Sequence, residues 1–535
     1  MWHERLSARS LRRSHLLVCL SLCMFLIPTA VHAQSSGPSV DELAQTTAAL
    51  TTAINLFWVL LAGFLVFFMQ AGFALVETGF TRAKNVAHTM MMNMMVFCIG
   101  AIGYWLTGFA LQFGGVNVTW PATATAGAWA HSPVTLGDWS GLLDKPLLAF
   151  GQWGVLGGSG FMLAGLGLNV GVLAFFLFQM VFMDTAATIP TGSMAERLKF
   201  TGFCLMGLWV SMFIYPMVGG WVWGGGWLQN LGRITGWGHG AVDFAGSGVV
   251  HMIGGTLALA GALVIGPRIG RFNADGSANA MPGHNIPMGV LGTVILFFGW
   301  FGFNPGSSLA FTGGGQFLAV NAAVNTLLAG AAGGIIAMLY MWLIGPAKKP
   351  DPAMSVNGVL AGLVAITAPC AFVESWSAVL IGAVAGLLVC WATALLERVR
   401  IDDPVGAVPV HMVNGMWGVL AVGIFAHGGA ATDGWNGVAG PVTGLLYGDA
   451  GQLLAQVSEA AAIVIVVGGL SWVFFKILNA LGILRSSAHD ELAGLDIPEM
   501  GMPGYTSDDV VMHNGRIKQR FSASSSGRAI GAPLR

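Results

Sequence analysis

The chain has 535 residues, 55% of them hydrophobic and only 9% charged, with a formal net charge of −1. Soluble domains carry roughly 25% charged residues, so the composition excludes an ordinary soluble enzyme, and the near-neutral balance implies no nucleic-acid partner. Seventy-eight glycines suit a polytopic membrane protein, where small residues let helices approach closely.

The N-terminus reads as a targeting segment. Arg5, Arg9, Arg12 and Arg13 precede the apolar run LLVCLSLCMFLIPTA, and VHA stands before Gln34. This pattern predicts a cleavable signal peptide over 1–33, then a short periplasmic N-terminus at 34–51 and a bacterial inner (plasma) membrane location. Cys19 and Cys23 leave with the signal; Cys98, Cys204, Cys370 and Cys390 lie in or beside apolar runs without metal spacing, so no metal or other cofactor is expected.

A membrane span needs about 20 apolar residues. Eleven segments qualify: 52–76, 86–112, 168–192, 201–225, 247–267, 286–305, 317–345, 353–371, 375–396, 405–427 and 453–482. The expectation is an all-α polytopic membrane domain over 52–482 with a polar cytoplasmic tail at 483–535. With the N-terminus outside, the cytoplasmic loops carry Arg82, Lys84, Arg197, Lys199, Arg268, Arg271, Lys348, Lys349, Arg398 and Arg400, against only Lys145 and Arg233 on the other side. That bias fits the positive-inside rule.

The second half echoes the first. DFAGSGVVHMIGG begins at Asp243 and DPVGAVPVHMVNG at Asp403; in both, the aspartate precedes a histidine by eight residues. FFMQAGF (67–73) and FFGWFGF (297–303) form a weaker pair. Span one thus pairs with six and five with ten, giving repeats over about 52–267 and 286–427, with helix eleven at about 453–482. Five spans is an odd number, so the second copy runs upside down. Inverted repeats place sites near the midplane, where His251 and His411 are expected to face each other. Ionisable groups there are functional by default, and histidine exchanges protons near neutral pH.

Several stretches carry a family resemblance: AGFALVETGFTRAKN (71–85), FQMVFMDTAATIPTGSMAERLKF (178–200), WGGG (223–226), DFAGSGVVH (243–251), HNIPMGVLGTVILFFGWFGFNPGSS (284–308), DDPVGAVPVH (402–411) and ELAGLDIPEMGMPGY (491–505). In this order and spacing the chain resembles the Amt/Mep/Rh ammonium transporter family, specifically its bacterial Amt branch, from about 52 to 505. The resemblance implies a homotrimer with a pore in each subunit. It assigns Trp223, Phe178 and Ser307 to an outer vestibule that recruits ammonium, or methylammonium as its analogue. Phe182 and Phe303 match a stacked phenyl gate, His251 and His411 the twin pore histidines, Asp243 a buried acid near the recruitment site, and Thr367 a pore-adjacent threonine. It also implies a tail that couples the pores and a PII-type signalling protein as partner at the cytoplasmic face.

The physics agrees with that assignment. Ammonium and potassium share size and charge, so selection must use hydrogen bonds or the proton. A cation over an aromatic face gains about 0.5–2 kcal/mol, whereas a bare cation in hydrocarbon costs several kcal/mol. An apolar pore therefore admits ammonia and rejects the ion. Departures from the family pattern occur at Gly406, Met412 and Met180, and Met252 and Met412 each follow a pore histidine. Asp184 lies in mid-span, where bonding to a neighbouring helix is the expectation. Asp243 is expected to cap the fifth span. An ammonium sensor or transceptor acting through a cytoplasmic partner is the alternative; about 50 residues follow the last span, too few for a kinase domain. A coupled transporter of an organic solute would need a cluster of polar cation ligands, and no enzyme motif is present.

Overall fold

The computed structural model describes residues 38–115, 136, 142–143, 145–150, 153–166, 169–505, 510–513 and 516–519. The expected signal peptide at 1–33, residues 34–37, much of the loop at 113–167 and most of the tail after 505 lie outside the described residues.

A backbone in hydrocarbon must satisfy its N–H and C=O groups internally, so helices dominate. They are α1 Val40–Phe80, α2 Ala83–Phe113, α3 Val170–Met194, α4 Phe200–Val222, α5 Ser247–Ile265, α6 Ile286–Ser308, α7 Gly315–Leu343, α8 Pro352–Ile366, α9 Ser375–Arg398, α10 Val408–Phe425 and α11 Ala450–Ala480. Ten are long and apolar enough to cross a membrane, and α8 is a shorter apolar helix of 15 residues. Side chains cap many of the starts. Asn169 Oδ1 accepts from Val172 N–H at 3.1 Å, Asn285 Oδ1 from Met288 N–H at 3.0 Å, and Asp351 Oδ1 from Ala353 N–H at 2.9 Å.

Two boundaries differ most from expectation. Helix α1 begins at Val40, not near 52. Ser39 Oγ accepts from Glu42 N–H at 3.2 Å and Glu42 Oε2 accepts from Ser39 N–H at 2.7 Å, a capping box that starts the helix well before the apolar run. Residues 40–50 are exposed and belong to a unit of their own; the rest of the description concerns residues 51–535. Helix α8 stops at Ile366, not 371. Pro369 disfavours helical backbone at the residue before it.

Burial sorts the helices. In α5 and α3, 83% and 78% of the most apolar stretch is buried, against 39% in α9 and 33% in α11. Helices α3 and α5 therefore lie at the centre of the helix packing. Helices α7, α8 and α9 meet along small residues: a Cβ on Gly362 would lie 2.3 Å from Ala329 O, and one on Gly386 would lie 2.5 Å from Gly333 O. Two short antiparallel hairpins complete the described residues: β1 Pro146–Phe150 with β2 Trp153–Gly157, and β3 Val510–His513 with β4 Arg516–Gln519.

A buried ion network ties four loops together. Arg268 donates to both oxygens of Asp402, from Nε at 2.8 Å and Nη2 at 2.9 Å, and from Nη1 to Glu196 Oε1 at 3.0 Å. Arg82 pairs with the same Glu196, and Arg197 lies 4.0 Å from Asp402. Burial alone would raise the Asp402 carboxyl, but the hydrogen bonds and charge of Arg268 and Arg197 outweigh it and hold the pKa at about 2, below the ordinary 3.8. A depressed carboxylate stabilises the fold above the unfolded pKa and loses that stabilisation as pH falls through the folded one. The contribution of Asp402 is therefore complete above about pH 4 and fades towards pH 2. Asp402→Asn leaves buried guanidinium groups under-compensated, and removing one partner of a buried pair costs about 3 kcal/mol. A lowered melting temperature of the purified protein is the expected result; an unchanged one would contradict it.

The tail segment folds back on the same chain through α12 Ala488–Ala493 and α13 Asp496–Met500. Arg485 Nη2 donates to both oxygens of Glu491 at 3.1 and 2.8 Å, and Glu491 Oε1 also accepts from Ile269 N–H at 2.7 Å. Asp496 Oδ1 accepts from His88 N–H at 2.9 Å, and Glu499 Oε2 from Phe200 N–H at 3.2 Å. ELAGLDIPEM thus clasps the ends of α2, α4 and α5.

Candidate functional site

The two histidines sit on matching constructions. Asp243 Oδ1 accepts from Gly246 and Ser247 N–H at 2.8 and 2.9 Å, and Oδ2 from Gly248 and Val249 N–H, both at 2.9 Å. Asp403 repeats the arrangement with Gly406 N–H at 3.1 Å and Val408 N–H at 2.8 Å. Each carboxylate thereby caps a helix start, as expected for Asp243. Gly246 and Gly406 occupy the same place in the two copies with φ of +111° and +83°, a backbone region open to glycine at little cost. A Cβ on Gly406 would lie 2.6 Å from Asn357 Nδ2, so a side chain at that position would have to displace Asn357.

Both helices then open with a π-helical turn, Ser247–Met252 in α5 and Val408–Val413 in α10, and each turn carries its histidine. Such turns free backbone groups and redirect side chains. In α10 the carbonyl of Pro409 is satisfied by Asn414 Nδ2 at 2.9 Å. The packing between the turns is reciprocal. A Cβ on Gly255, four residues after His251, would lie 2.2 Å from Met412 N; one on Gly415, four after His411, would lie 2.9 Å from Met252 N. Each glycine admits the peptide that follows the other histidine, as a two-fold relation requires.

This brings the rings together. His251 Nδ1 and His411 Nδ1 lie 3.2 Å apart, and both residues are buried. One nitrogen must donate and the other accept, so the neutral pair holds opposite tautomers. Among the described residues, His251 Nε2 is buried without a hydrogen-bond partner. Trp300 stacks on His251 at 5.1 Å between centroids and donates from Nε1 to Thr367 Oγ1 at 2.9 Å. Thr367 in turn donates to Leu363 O at 2.7 Å, which fixes the indole and through it the imidazole.

An aromatic series leads away from His251. Phe303 lies 5.5 Å from it and stacks on Phe182 at 4.0 Å, with the planes 25° apart. Phe182 contacts Phe178 at 4.5 Å and Trp223 edge-on at 6.2 Å. Trp223 Nε1 donates to Asp243 O at 2.7 Å. Ser307 donates to Phe303 O at 2.8 Å, which leaves its oxygen free to accept. All of these side chains are buried, and the stacked phenyl rings lie between Trp223 and His251.

On the other side of the pair, His411 borders a cavity of about 30 Å³ that Phe73, Glu77, Leu296, Asn357 and Gly406 also line. A water molecule needs roughly 10–15 Å³, so the cavity has room for one or two molecules of that size.

The residues singled out in the sequence, Trp223, Phe178, Ser307, Phe182, Phe303, His251, His411, Asp243 and Thr367, form one connected group. Among the described residues Asp184 does not join it by hydrogen bonds: its Oδ1 is buried with no partner there, so the expected bond to a neighbouring helix is not found at that oxygen. The sequence reading passed over Trp300, Glu77 and the polar stripe of α11. There Gln452 Nε2 donates to Gly240 O at 2.8 Å and Gln456 Nε2 to Val242 O at 2.9 Å, which anchors the strand-like segment entering Asp243. Their spacing, with Glu459, at i, i+4 and i+7 is the signal that could have found them.

Residues 57–505 match the sequence model described as Ammonium Transporter Family. The chain is 42% identical over 492 residues to ammonium transporter Amt2 of Archaeoglobus fulgidus, covering 91% of this chain and 94% of that protein. It is 36% identical over 475 residues to ammonium transporter 1 member 3 of Solanum lycopersicum, covering 86% and 94%. Among solved structures it is similar to one titled Sensor Amt Protein, with a TM-score of 0.70, 33% identity and coverage of 84% of this chain and 99% of that one. It is also similar to Candida albicans Mep2, with a TM-score of 0.64, 26% identity and coverage of 82% and 87%. The chain is a multi-pass membrane protein and belongs to the ammonium transporter family.

Proposed function

We propose that this protein transports ammonium by stripping a proton from the ion and passing neutral ammonia along the His251–His411 pair. The observation that carries the reading is the buried series from Trp223 through Phe182 and Phe303 to two imidazoles bonded Nδ1 to Nδ1. The basic loops orient Trp223 and Ser307 towards the outside. There the faces of Trp223 and Phe178 hold the cation and Ser307 accepts one of its N–H bonds. Potassium gains the aromatic contact but donates no hydrogen bond and has no proton to give up.

Past Phe182 and Phe303 the environment is apolar, so only ammonia enters. The pair provides a separate route for the proton. His251 receives it at Nε2, hands its Nδ1 proton across the 3.2 Å contact to His411 Nδ1, and His411 releases its own Nε2 proton on the far side. The tautomers end reversed and must reset before the next cycle. Ammonia and proton cross by different atoms, so net charge moves.

Trp223→Leu removes the aromatic face of the recruitment site, worth about 0.5–2 kcal/mol or roughly 2- to 30-fold in affinity. The expected result is a rise of that size in the half-saturating ammonium concentration with little change in maximal current. An unchanged concentration dependence would remove Trp223 from the site. A sensing role has one observation in its favour, the likeness to the protein titled Sensor Amt Protein. Ammonium binding without uptake or current in proteoliposomes would favour that role.

A further inference from the structure

The cavity beyond His411 contains an acid that the relay does not use. Glu77 is 3% exposed and lines that cavity together with His411 and Asn357. Its oxygens accept from Thr191 Oγ1 at 2.9 and 2.8 Å, and Oε2 accepts from Asn93 Nδ2 at 3.1 Å. Among the described residues it has no ion-pair partner. Asp403, the nearby carboxylate that acts on it electrostatically, is occupied in capping α10. An uncompensated charge in an apolar setting is costly, so Glu77 needs either a proton or a cation beside it.

Its hydrogen bonds accommodate both states. Thr191 has one hydroxyl proton and two acceptors in reach, Glu77 and Thr188 O at 2.6 Å. When Glu77 is a carboxylate, Thr191 donates to it. When Glu77 is an acid, Thr191 turns its proton to Thr188 O and accepts from the carboxyl.

We propose that this cavity is a second ammonium site, in which Glu77 protonates the ammonia arriving past His411 and then serves as counter-ion to the ammonium formed. The assignment rests on the transport reading above. The carboxyl O–H bond breaks as the nitrogen lone pair forms an N–H bond, giving carboxylate and ammonium from acid and ammonia. After ammonium leaves for water, His411 gives its Nε2 proton to Glu77. That proton replaces the one His251 took from the entering ion, so the cycle balances. A Cβ at position 406 would lie 2.6 Å from Asn357 Nδ2 on the wall of the same cavity.

The test uses full-length protein in proteoliposomes, with wild type, Glu77→Gln and Glu77→Asp compared on a solid-supported membrane and by infrared difference spectroscopy as ammonium is added. A positioned proton donor contributes about 100-fold or more, so Glu77→Gln is expected to lower the ammonium-evoked current by about that factor, with recovery in Glu77→Asp. Wild type is expected to lose a protonated-carboxyl carbonyl band on ammonium addition, and Glu77→Gln to lack that change. Full current in Glu77→Gln, or the same band change in it, would overturn the assignment. If Glu77→Gln does not fold, the aspartate variant decides: a shifted band supports the site, and an unshifted one overturns it. Absence of any ammonium response in wild type would instead sink the transport reading itself.

Discussion

His251→Ala is expected to cut the ammonium-evoked current about 100-fold or more, the range of a positioned proton-transfer group. The relay has one contact across which the proton crosses, the 3.2 Å approach of the two Nδ1 atoms. Alanine at 251 removes the group that receives the proton and leaves His411 without a donor. His411→Ala breaks the same contact from the other side. The double variant should therefore be no worse than either single one, because groups acting as a unit are not additive. Additive losses, or a current that survives either change in well-folded protein, would contradict a shared relay. The check is a current recording on proteoliposomes matched for protein content.

Gly255→Val is expected to destabilise the protein by about 3 kcal/mol, the upper end for overpacking, and to abolish transport with it. A Cβ on Gly255 would lie 2.2 Å from Met412 N, 2.6 Å from Met412 Cα and 2.7 Å from His411 C. These are backbone atoms of the opposing turn, so no side-chain rotation relieves the clash. Helix α10 must shift from α5, and the histidine contact lies directly across that seam. A wild-type melting temperature together with wild-type current would mean that the turns need not touch.

Much of this was legible in the chain. Apolar runs located the helices because a membrane demands length and hydrophobicity from each span. The eight-residue spacing from Asp243 to His251, repeated from Asp403 to His411, contained the cap, the turn and the imidazole of each copy. What escaped depends on direction within the helix. Every face of α6 is apolar, so nothing in FFGWFGF separates Trp300, which stacks on His251, from Phe298, which is exposed. Glu77 reads like any acid near a helix end until α3 and α10 close around it. The π-helical turns leave no mark in hydropathy. The early start of α1 was readable from Ser39 and Glu42 as a capping box, but the weakly apolar stretch after it hid the helix.

The most direct test of the central claim is an ammonium pulse on wild-type and His251→Ala proteoliposomes adsorbed to a solid-supported membrane. The expected result is a transient current in wild type that potassium does not evoke and that His251→Ala loses. Ammonium uptake without current in wild type, or an equal current in His251→Ala, would contradict proton transfer through the histidine pair.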